Sequence, residues 1–307
     1  MTHRFHPTIL REYDVRGIVG ETLGEDDARA LGRAFASVVR RGGGSRIVVG
    51  RDGRLSSPAL EQALVEGLRA AGAEVVRIGL CPSPMLYFAE ATLAGVDAGV
   101  MVTGSHNPRD HNGFKMVTGG HPFYGAQIQR LAAMALAGDW DAGSGTCEER
   151  DVLDAYVEAL LGGLAGIDRE RLASLRIGWD AGNGAAGPAL ERLTARLPGE
   201  HRLLFAEVDG RFPNHHPDPT IEANLADLKA LVLAEGLDFG VAFDGDGDRI
   251  GVVDSGGGVL WGDQLLAVFA EDLLRRRPGA MVIGDVKASR VLYDTVERLG
   301  GRPLMWK

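Results

Sequence analysis

The chain has 307 residues, and its 42 acidic against 33 basic side chains give a formal net charge of −9. This balance disfavours nucleic acid as the main partner, because phosphate backbones bind basic surfaces. The two cysteines, Cys81 and Cys147, make no disulfide framework in a chain of this length. The sequence has no apolar run of about 18 residues and no signal-peptide pattern. We therefore predict a cytoplasmic protein without a membrane partner.

Apolar runs and turn residues alternate along the chain in the order expected of strands and helices. Helices are predicted over residues 24–41, 57–71, 85–93, 127–136, 151–161, 188–197, 221–235, 263–277 and 289–299. Strands are predicted over residues 46–50, 75–80, 96–102, 114–117, 175–180, 203–208, 239–243, 250–254 and 280–285. This alternation predicts an α/β fold of parallel or mixed sheets covered by helices.

Two turn-rich stretches, residues 138–145 and 256–258, have the composition of domain boundaries. The strands that begin near residues 46, 176 and 280 each lead into an aspartate and then toward a helix, which indicates a weak internal repeat. We predict three successive α/β domains over residues 1–150, 151–256 and 257–307. The third is much the shortest, and we expect it to be incomplete.

A candidate nucleophile follows the predicted strand over residues 96–102. This apolar strand is expected to be buried in a parallel sheet, and it places Ser105 in a turn of Gly, Asn and Pro residues. We call residues 103–108 the serine loop. Open α/β sheets bind ligands just beyond the carboxyl ends of their strands. The alternative is a serine that only closes the turn. The surroundings do not match the Gly-x-Ser-x-Gly elbow of hydrolases, which disfavours an acyl-enzyme.

A second unusual turn, residues 244–249, has the sequence Asp-Gly-Asp-Gly-Asp-Arg, and we call it the aspartate loop. Its alternating glycines allow Asp244, Asp246 and Asp248 to converge on one point. At an effective dielectric constant of 20, two like charges 4 Å apart repel by about 4 kcal/mol. A divalent cation with oxygen ligands would relieve this repulsion, and Mg²⁺ with a phosphate co-ligand is the best candidate. The alternative is a solvated acidic turn.

A phosphorylated Ser105 beside this loop would require cations nearby. A phosphoserine carries about −1.5 to −2 charges, so three carboxylates and a divalent ion still leave a net negative charge. Lys115, Arg249 and Arg16 are the candidate counter-ions. His106 is either a base or a hydrogen-bond partner that orients the turn.

Two further patterns compete with this interpretation. Gly182, Gly184 and Gly187 match Gly-x-Gly-x-x-Gly after a predicted strand, with an acidic residue twenty positions on, as in dinucleotide-binding proteins. We call residues 182–187 the glycine loop; the alternative is a tight strand–helix turn. His215 and His216 could be metal ligands, but flanking prolines favour a structural or interface role.

The assembled motifs resemble those of the α-D-phosphohexomutase family, in particular its bacterial phosphomannomutase/phosphoglucomutase members. The serine loop resembles the family's phosphoserine loop, and the aspartate loop resembles its magnesium loop. The stretches 13–17, 112–115 and 207–219 also resemble family segments, in the expected order. The resemblance extends over essentially the whole chain and implies the successive α/β domains of that family.

The resemblance also implies roles for individual residues. Ser105 would carry the phosphoryl group, and a phosphate oxygen on it would complete a Mg²⁺ site with the three aspartates. The remaining implied site residues lie against the phosphoryl group or on the sugar-binding side: Lys115, Arg249 and His106 as catalytic residues, and Tyr13, Arg16 and Lys287 as substrate-binding residues.

The implied activity is that of an isomerase, an intramolecular phosphotransferase acting on phosphorylated hexoses. It would interconvert the 1- and 6-phosphates of mannose or glucose through phosphoserine, with hexose 1,6-bisphosphate as intermediate and activator. Phosphoglucosamine mutase of the same family and a non-catalytic dinucleotide-binding protein are the alternatives. The family has four domains, so the resemblance implies an incomplete third domain, no fourth and less than full activity for this chain. We expect a monomer.

Overall fold

The computed structural model describes residues 2–307, and within this range the strands form three sheets that pack against helices. The predicted α/β class is confirmed. No described helix has the length and apolar character that crossing a membrane requires.

The first sheet is mixed and has seven strands. The elements of this unit are β1 (Val15–Ile18), α1 (Glu25–Arg41), β2 (Arg46–Arg51), α2 (Ser57–Ala70), β3 (Glu74–Leu80), α3 (Ser83–Thr92), β4 (Ala98–Val102), β5 (His111–Thr118), β6 (His121–Pro122), α4 (Ala126–Ala137) and β7 (Cys147–Glu149). The strand order is β1-β5-β4-β2-β3-β7, with β6 paired to β5. Strands β4, β2, β3 and β7 run parallel, whereas β5 is antiparallel to β4 and β1.

The core of this unit lies between the sheet and helices α1 and α2. Acidic residues fill the first turn of α1 and arginines its last turn, a distribution that complements the helix dipole. The apolar stripe of α1 buries Leu31 and Phe35 against Leu64 and Leu68 of α2. Every residue of β4 is buried, as expected of a central parallel strand, so the end of β4 is held firmly in place.

The second sheet has five strands in the order β12-β11-β10-β8-β9. The elements here are α5 (Leu153–Gly162), α6 (Arg169–Ala173), β8 (Arg176–Asp180), α7 (Gly187–Thr194), β9 (Glu200–Leu204), α8 (Ala226–Glu235), β10 (Phe239–Phe243), β11 (Ile250–Asp254) and β12 (Val259–Leu260). Strand β8 pairs in parallel with β10 and β9, and β11 and β12 continue the sheet antiparallel. The aspartate loop follows β10.

The third sheet contains only β13 (Met281–Asp285) and β14 (Arg302–Trp306), which run parallel. They pack against α9 (Gly262–Arg276) and α10 (Arg290–Arg298) through a small core of Leu274, Val282, Leu292 and Val296.

The structure differs from the predicted elements mainly around β9. The strand predicted over residues 203–208 lies at Glu200–Leu204, because Phe205 adopts a left-handed backbone conformation with φ 52° that a strand cannot continue through. The helix predicted over residues 221–235 is a 3-10 turn at Glu222–Leu225 followed by α8. Helix α5 also contacts the first unit, where Val152 just before it joins a buried cluster with Val76 and Ile78.

Candidate active site

Ser105 lies one turn beyond the carboxyl end of β4, where the sequence placed it. The serine is 2 % exposed and has φ 49°, in the left-handed region. A residue other than glycine adopts this conformation at a cost of about 1–2 kcal/mol, so other contacts must hold the loop. Two of these are the Ser105 backbone N–H, which donates to Thr103 Oγ1 at 2.8 Å, and Arg16 Nη1, which donates to the Gly104 carbonyl at 3.0 Å.

The aspartate loop reaches Ser105 from the second sheet. The Ser105 hydroxyl donates to Asp244 Oδ2 at 2.8 Å. The second oxygen of Asp244 accepts the backbone N–H groups of Asp248 at 3.0 Å and Arg249 at 3.1 Å, which curls the loop around this carboxylate. One carboxylate oxygen from each of the three aspartates lies within 4.8 Å of the others. The predicted convergence of the aspartates is therefore present.

Gly245 allows the two loops to approach each other. A Cβ atom built on Gly245 would lie 2.5 Å from the Ser105 carbonyl oxygen, closer than side chains approach a backbone. Any larger residue would separate the serine loop from the aspartate loop. Glycine at this position is therefore required by packing as well as by the curl of the loop.

The charge of the aspartate loop fits a divalent cation. Asp244 and Asp246 are fully buried, and Asp246 Oδ1 has no hydrogen-bond partner among the described residues. Burial, together with the neighbouring carboxylates of Asp246 and Asp248, raises the pKa of Asp244 to about 8. An unpartnered buried oxygen and crowded carboxylates are the features that a hard cation with oxygen ligands would satisfy.

Lys115 supplies the main positive charge against the aspartates. It extends from β5, and Nζ lies 2.6 Å from Asp246 Oδ2 and 2.5 Å from Asp248 Oδ2. Burial tends to lower the Lys115 pKa, but these two carboxylates outweigh it and raise the pKa above its usual range. At Asp246, burial works to raise the pKa, while the Lys115 ammonium lowers it to about 2. Lys115 is therefore an ammonium group at neutral pH.

His106 and Arg249 also lie at this site. His106 Nδ1 is 3.2 Å from Ser105 Oγ. Burial and the nearby Arg249 cation lower the pKa of His106, so the imidazole is neutral at pH 7. Arg249 is exposed and contributes its backbone N–H to Asp244, which leaves its guanidinium available to a bound anion.

The remaining predicted site residues have fewer contacts with the aspartate loop and the Ser105 hydroxyl. Arg16 is buried and bonds to the serine loop backbone and to Asp14, so it contacts the loop rather than an open surface. Tyr13 is 75 % exposed, with its ring centroid 6.3 Å from that of Tyr124. Lys287 is exposed in the turn after β13. Within residues 2–307, Tyr13 and Lys287 make no side-chain hydrogen bond to either loop.

The sequence did not reveal Ser83, which supports the aspartate loop from the N-terminus of α3. Ser83 Oγ donates to Asp246 Oδ2 at 2.5 Å, and its backbone N–H donates to the Asp246 carbonyl at 2.8 Å. The hydroxyl thus bonds to Oδ2 and the backbone N–H to the main-chain carbonyl, so both contacts leave Oδ1 of Asp246 free for another ligand. One signal in the sequence could have indicated Ser83. It follows β3, and β3 and β4 end at the same edge of the sheet, where ligands bind.

The glycine loop has a packing role that accounts for its glycines. The Ala185 N–H donates to the Gly245 carbonyl at 3.0 Å, so this loop lies directly against the aspartate loop. A Cβ atom at Gly187 would lie 1.9 Å from the Ala206 carbonyl oxygen, and one at Gly184 would lie 2.9 Å from that of Gly245. These contacts favour the strand–helix turn over the dinucleotide interpretation.

The paired histidines do not join the acidic cluster. His215 Nε2 lies 3.0 Å from the buried Asp180 Oδ2, and Nδ1 lies 3.0 Å from the His216 carbonyl oxygen. Asp180 in turn accepts the Gly182 N–H at 2.9 Å. Through Asp180, His215 therefore stabilises the turn that begins the glycine loop.

Together, the fold and the site define an α/β protein of several sheets with a candidate metal centre beside a buried serine. Three family models match the chain in order: phosphoglucomutase/phosphomannomutase alpha/beta/alpha domain I over residues 7–141, domain II over residues 154–257 and domain III over residues 261–307. The chain belongs to the phosphoglucomutase/phosphomannomutase family, the α-D-phosphohexomutases.

Curated relatives agree with this assignment. The chain is 47% identical over 300 residues to a phosphomannomutase/phosphoglucomutase of Pseudomonas putida, covering 98% of this chain and 64% of the relative. It is 44% identical over 301 residues to a phosphoglucomutase of Neisseria gonorrhoeae, covering 97% of this chain and 64% of the relative. The chain thus spans slightly less than two thirds of the length of these relatives.

A solved structure has the same fold throughout. A phosphoglucomutase/phosphomannomutase family protein of Burkholderia thailandensis superposes with a TM-score of 0.92 at 48% identity, covering 99% of this chain and 67% of that one. A putative phosphomannomutase of Thermus thermophilus superposes with a TM-score of 0.87 at 28% identity, covering 99% and 69%.

Proposed function

We propose that this chain carries the phosphoryl-transfer site of a magnesium-dependent phosphohexomutase that interconverts hexose 1-phosphate and hexose 6-phosphate. The observation that carries the proposal is the 2.8 Å hydrogen bond from the Ser105 hydroxyl to Asp244, within a cluster of three carboxylates. A hydroxyl so placed would bring a phosphoryl group directly against the charges that can bind a cation.

In this proposal, the three aspartates and an oxygen of the phosphoryl group on Ser105 would hold Mg²⁺. A bound Mg²⁺ would supply neutralisation of the negative charge on the phosphoryl oxygens. The unpartnered Asp246 Oδ1 supports this assignment, because Ser83 and Lys115 already occupy the other oxygen of that carboxylate.

The transfer step breaks the bond between Ser105 Oγ and phosphorus and forms a bond from a free sugar hydroxyl to the same phosphorus. The proton of that hydroxyl ends on Ser105 Oγ, and Lys115 assists the transfer as an ammonium group. In the reverse direction the Ser105 proton returns to the sugar oxygen, and neutral His106, with Nδ1 3.2 Å from Oγ, is placed to relay the proton in both directions. Positioning and charge stabilisation supply most of the rate in such reactions.

The exposed cation of Arg249 is proposed to bind the transferring phosphoryl group. Arg16 belongs to the same face through its bond to the serine loop, while Tyr13 and Lys287 are proposed to contact the sugar. The resulting hexose 1,6-bisphosphate would reorient and return its other phosphate to Ser105, and it would also load an unphosphorylated enzyme.

The proposed substrates are phosphorylated glucose and mannose, because these are the sugars in the names of the relatives at 44–47% identity. Those names do not favour an amino sugar. We propose that residues 1–150 form the phosphoserine domain, 151–256 the magnesium domain and 257–307 part of the sugar-binding domain. The net charge of −9 disfavours nucleic acid as a partner. We further propose that the protein acts in the cytoplasm as a monomer, without a membrane partner.

A half-reaction tests the proposal on this chain. Hexose 1,6-bisphosphate and Mg²⁺ are added to the protein, and hexose monophosphate is followed by phosphorus NMR. We expect a burst of one equivalent per chain, absent in Ser105→Ala and retained in Ser45→Ala, a matched control at an exposed serine. An equal burst from Ser105→Ala, or one that does not need Mg²⁺, would contradict the proposal.

A further inference from the structure

Arg54 is a fully buried arginine whose side-chain hydrogen bonds all go to one short stretch of chain. Its side chain is 0% exposed, and neither the motifs nor the proposed reaction uses it. The four N–H groups at the ends of its guanidinium point at four backbone carbonyls in and just after the serine loop: Ser105 at 2.7 Å, Asn107 at 2.6 Å, Pro108 at 2.5 Å and His111 at 3.0 Å.

Asp52 completes this arrangement from the other side of the loop. Its Oδ2 accepts the Thr103 hydroxyl at 2.8 Å and the Gly104 N–H at 3.0 Å, and it lies 3.2 Å from Arg54 Nε. Arg54 and Asp52 thus form an ion pair that bonds to the serine loop on either side of Ser105. Because both side chains are buried, their contacts are not weakened by competing water.

The residues around the guanidinium are shaped to admit it. A Cβ atom on Gly104 would lie 2.3 Å from Arg54 Cζ, so only glycine leaves room for the arginine at this position. The ring of Phe212, from the second unit, covers the guanidinium at 5.3 Å. Burial lowers the pKa of Arg54, but an arginine keeps its charge even so.

We propose that Arg54 is a positioning residue, which holds Ser105 in its left-handed conformation and so aims the hydroxyl at the aspartate loop. The effect of Arg54 on the reaction rests on the proposed function. That Arg54 holds the serine loop follows from the geometry alone. A planar fork of four donors matches four carbonyls, and the point charge of lysine cannot replace it. Loss of the fork should leave the three aspartates in place while Ser105 moves away from them.

The test uses Arg54→Lys, with Arg40→Lys as the matched control. Arg40 also donates to a backbone carbonyl, that of Ala71 at the C-terminal cap of α2, at 2.7 Å, but it makes no hydrogen bond to the serine loop. Amide hydrogen exchange without substrate is measured at residues 103–108 and in α2. Mg²⁺ affinity and the single-turnover rate of Ser105 phosphorylation by hexose 1,6-bisphosphate are then measured on the same variants.

For Arg54→Lys we expect exchange at residues 103–108 to rise at least about tenfold, with α2 unchanged. The phosphorylation rate should fall about 100-fold and Mg²⁺ affinity should stay within about threefold. Arg40→Lys should leave the exchange of the serine loop, the phosphorylation rate and Mg²⁺ affinity unchanged. Unchanged exchange and rate would overturn the proposal, and so would an equal loss in α2 and in Mg²⁺ binding, since Arg54 would then support the fold in general.

A second variant keeps the test decisive if Arg54→Lys does not fold. Gly104→Ala should displace the guanidinium and reproduce the same local exchange and slow phosphorylation; a wild-type result would overturn the proposal. Failure of the wild-type chain to accept a phosphoryl group would count against the proposed function, whereas the exchange comparison would still decide whether Arg54 holds the loop.

Discussion

The glycine loop and the aspartate loop follow neighbouring parallel strands, β8 and β10, and both alternate glycine with other residues. Their glycines have different structural roles. In the aspartate loop they allow three carboxylates to converge and the backbone to approach Ser105. In the glycine loop they allow the backbone to pack on the aspartate loop and on the chain after β9.

The comparison shows what a glycine-rich turn can and cannot indicate. Glycine indicates that the backbone closely approaches something, but the approaching group can be a ligand or another part of the protein. The residues between the glycines distinguish the two cases. Carboxylates that would repel one another require a cation, whereas Asn183, Ala185 and Ala186 require nothing outside the chain.

The largest effect is expected from Asp246→Asn, which removes charge from the loop that is proposed to bind Mg²⁺. Mg²⁺ or Mn²⁺ affinity, measured by calorimetry, should fall by at least about 100-fold. The matched control is Asp227→Asn, an exposed aspartate in α8, which should bind the cation as the unmodified chain does. If Asp246→Asn binds Mg²⁺ with an affinity within about threefold of that of the wild type, the aspartate loop is not the cation site that distinguishes it from the glycine loop.

Gly245→Ala should separate the serine loop from the aspartate loop, because its Cβ would meet the Ser105 carbonyl oxygen at 2.5 Å. We expect phosphorylation of Ser105 by hexose 1,6-bisphosphate to slow about 10- to 100-fold. Gly262→Ala is the control, since a Cβ there has no neighbour within 4 Å. Equal rates for the two variants would show that the close approach of the loops is unimportant.

Gly187→Ala should reduce stability without removing a ligand, because its Cβ would lie 1.9 Å from the Ala206 carbonyl oxygen. The free energy of unfolding should fall by about 1–3 kcal/mol, measured by urea denaturation, with Mg²⁺ affinity unchanged. Titration of the unmodified chain with NAD(H) or NADP(H) should show no saturable binding. If the unmodified chain binds a dinucleotide saturably and Gly187→Ala abolishes this binding, the glycine loop is a dinucleotide site after all.

The smallest effect concerns His215, which braces the glycine loop. Burial tends to lower its pKa, but the bond to Asp180 raises the pKa above its usual value. The charged pair therefore stabilises the folded chain fully below the unfolded pKa of about 6.5, and this stability is lost as pH rises through the folded pKa. The unfolding free-energy difference between wild type and His215→Gln should shrink from about pH 6 to pH 8.

Asp180→Asn provides the matched background for the His215 measurement. With the carboxylate removed, burial still acts to lower the His215 pKa, so the difference made by His215→Gln should no longer shrink as pH rises in this range. In the wild-type background, a difference that grows with pH would show that the ion pair does not stabilise this turn. The same decrease with pH in Asp180→Asn as in the wild-type background would show it too.

Much of the site could be predicted because its signals are local. Strand β4 is a continuous apolar run followed by turn residues, and the carboxylates of the aspartate loop alternate with glycine over six residues. The expectation that cations lie nearby followed from charge alone, and Lys115 does lie against Asp246 and Asp248.

The supporting contacts could not be predicted, because they join residues far apart in sequence. Ser83 and Asp246 are separated by 163 positions, and Arg54 and Ser105 by 51. No spacing or periodicity marks such pairs. The misplaced strand at 203–208 has a related cause, since Leu203, Leu204 and Phe205 read as a strand until the left-handed turn at Phe205 ends it. The tertiary contacts of the following loop override the local pattern.

Peptide mapping with mass spectrometry can show whether Ser105 carries a phosphoryl group beside a cation site. The chain is incubated with hexose 1,6-bisphosphate, with and without Mg²⁺, and then digested. We expect one phosphoryl group, on Ser105, that forms only when Mg²⁺ is present and does not form in Asp246→Asn. An unmodified Ser105, or a phosphoryl group on another serine, would contradict it.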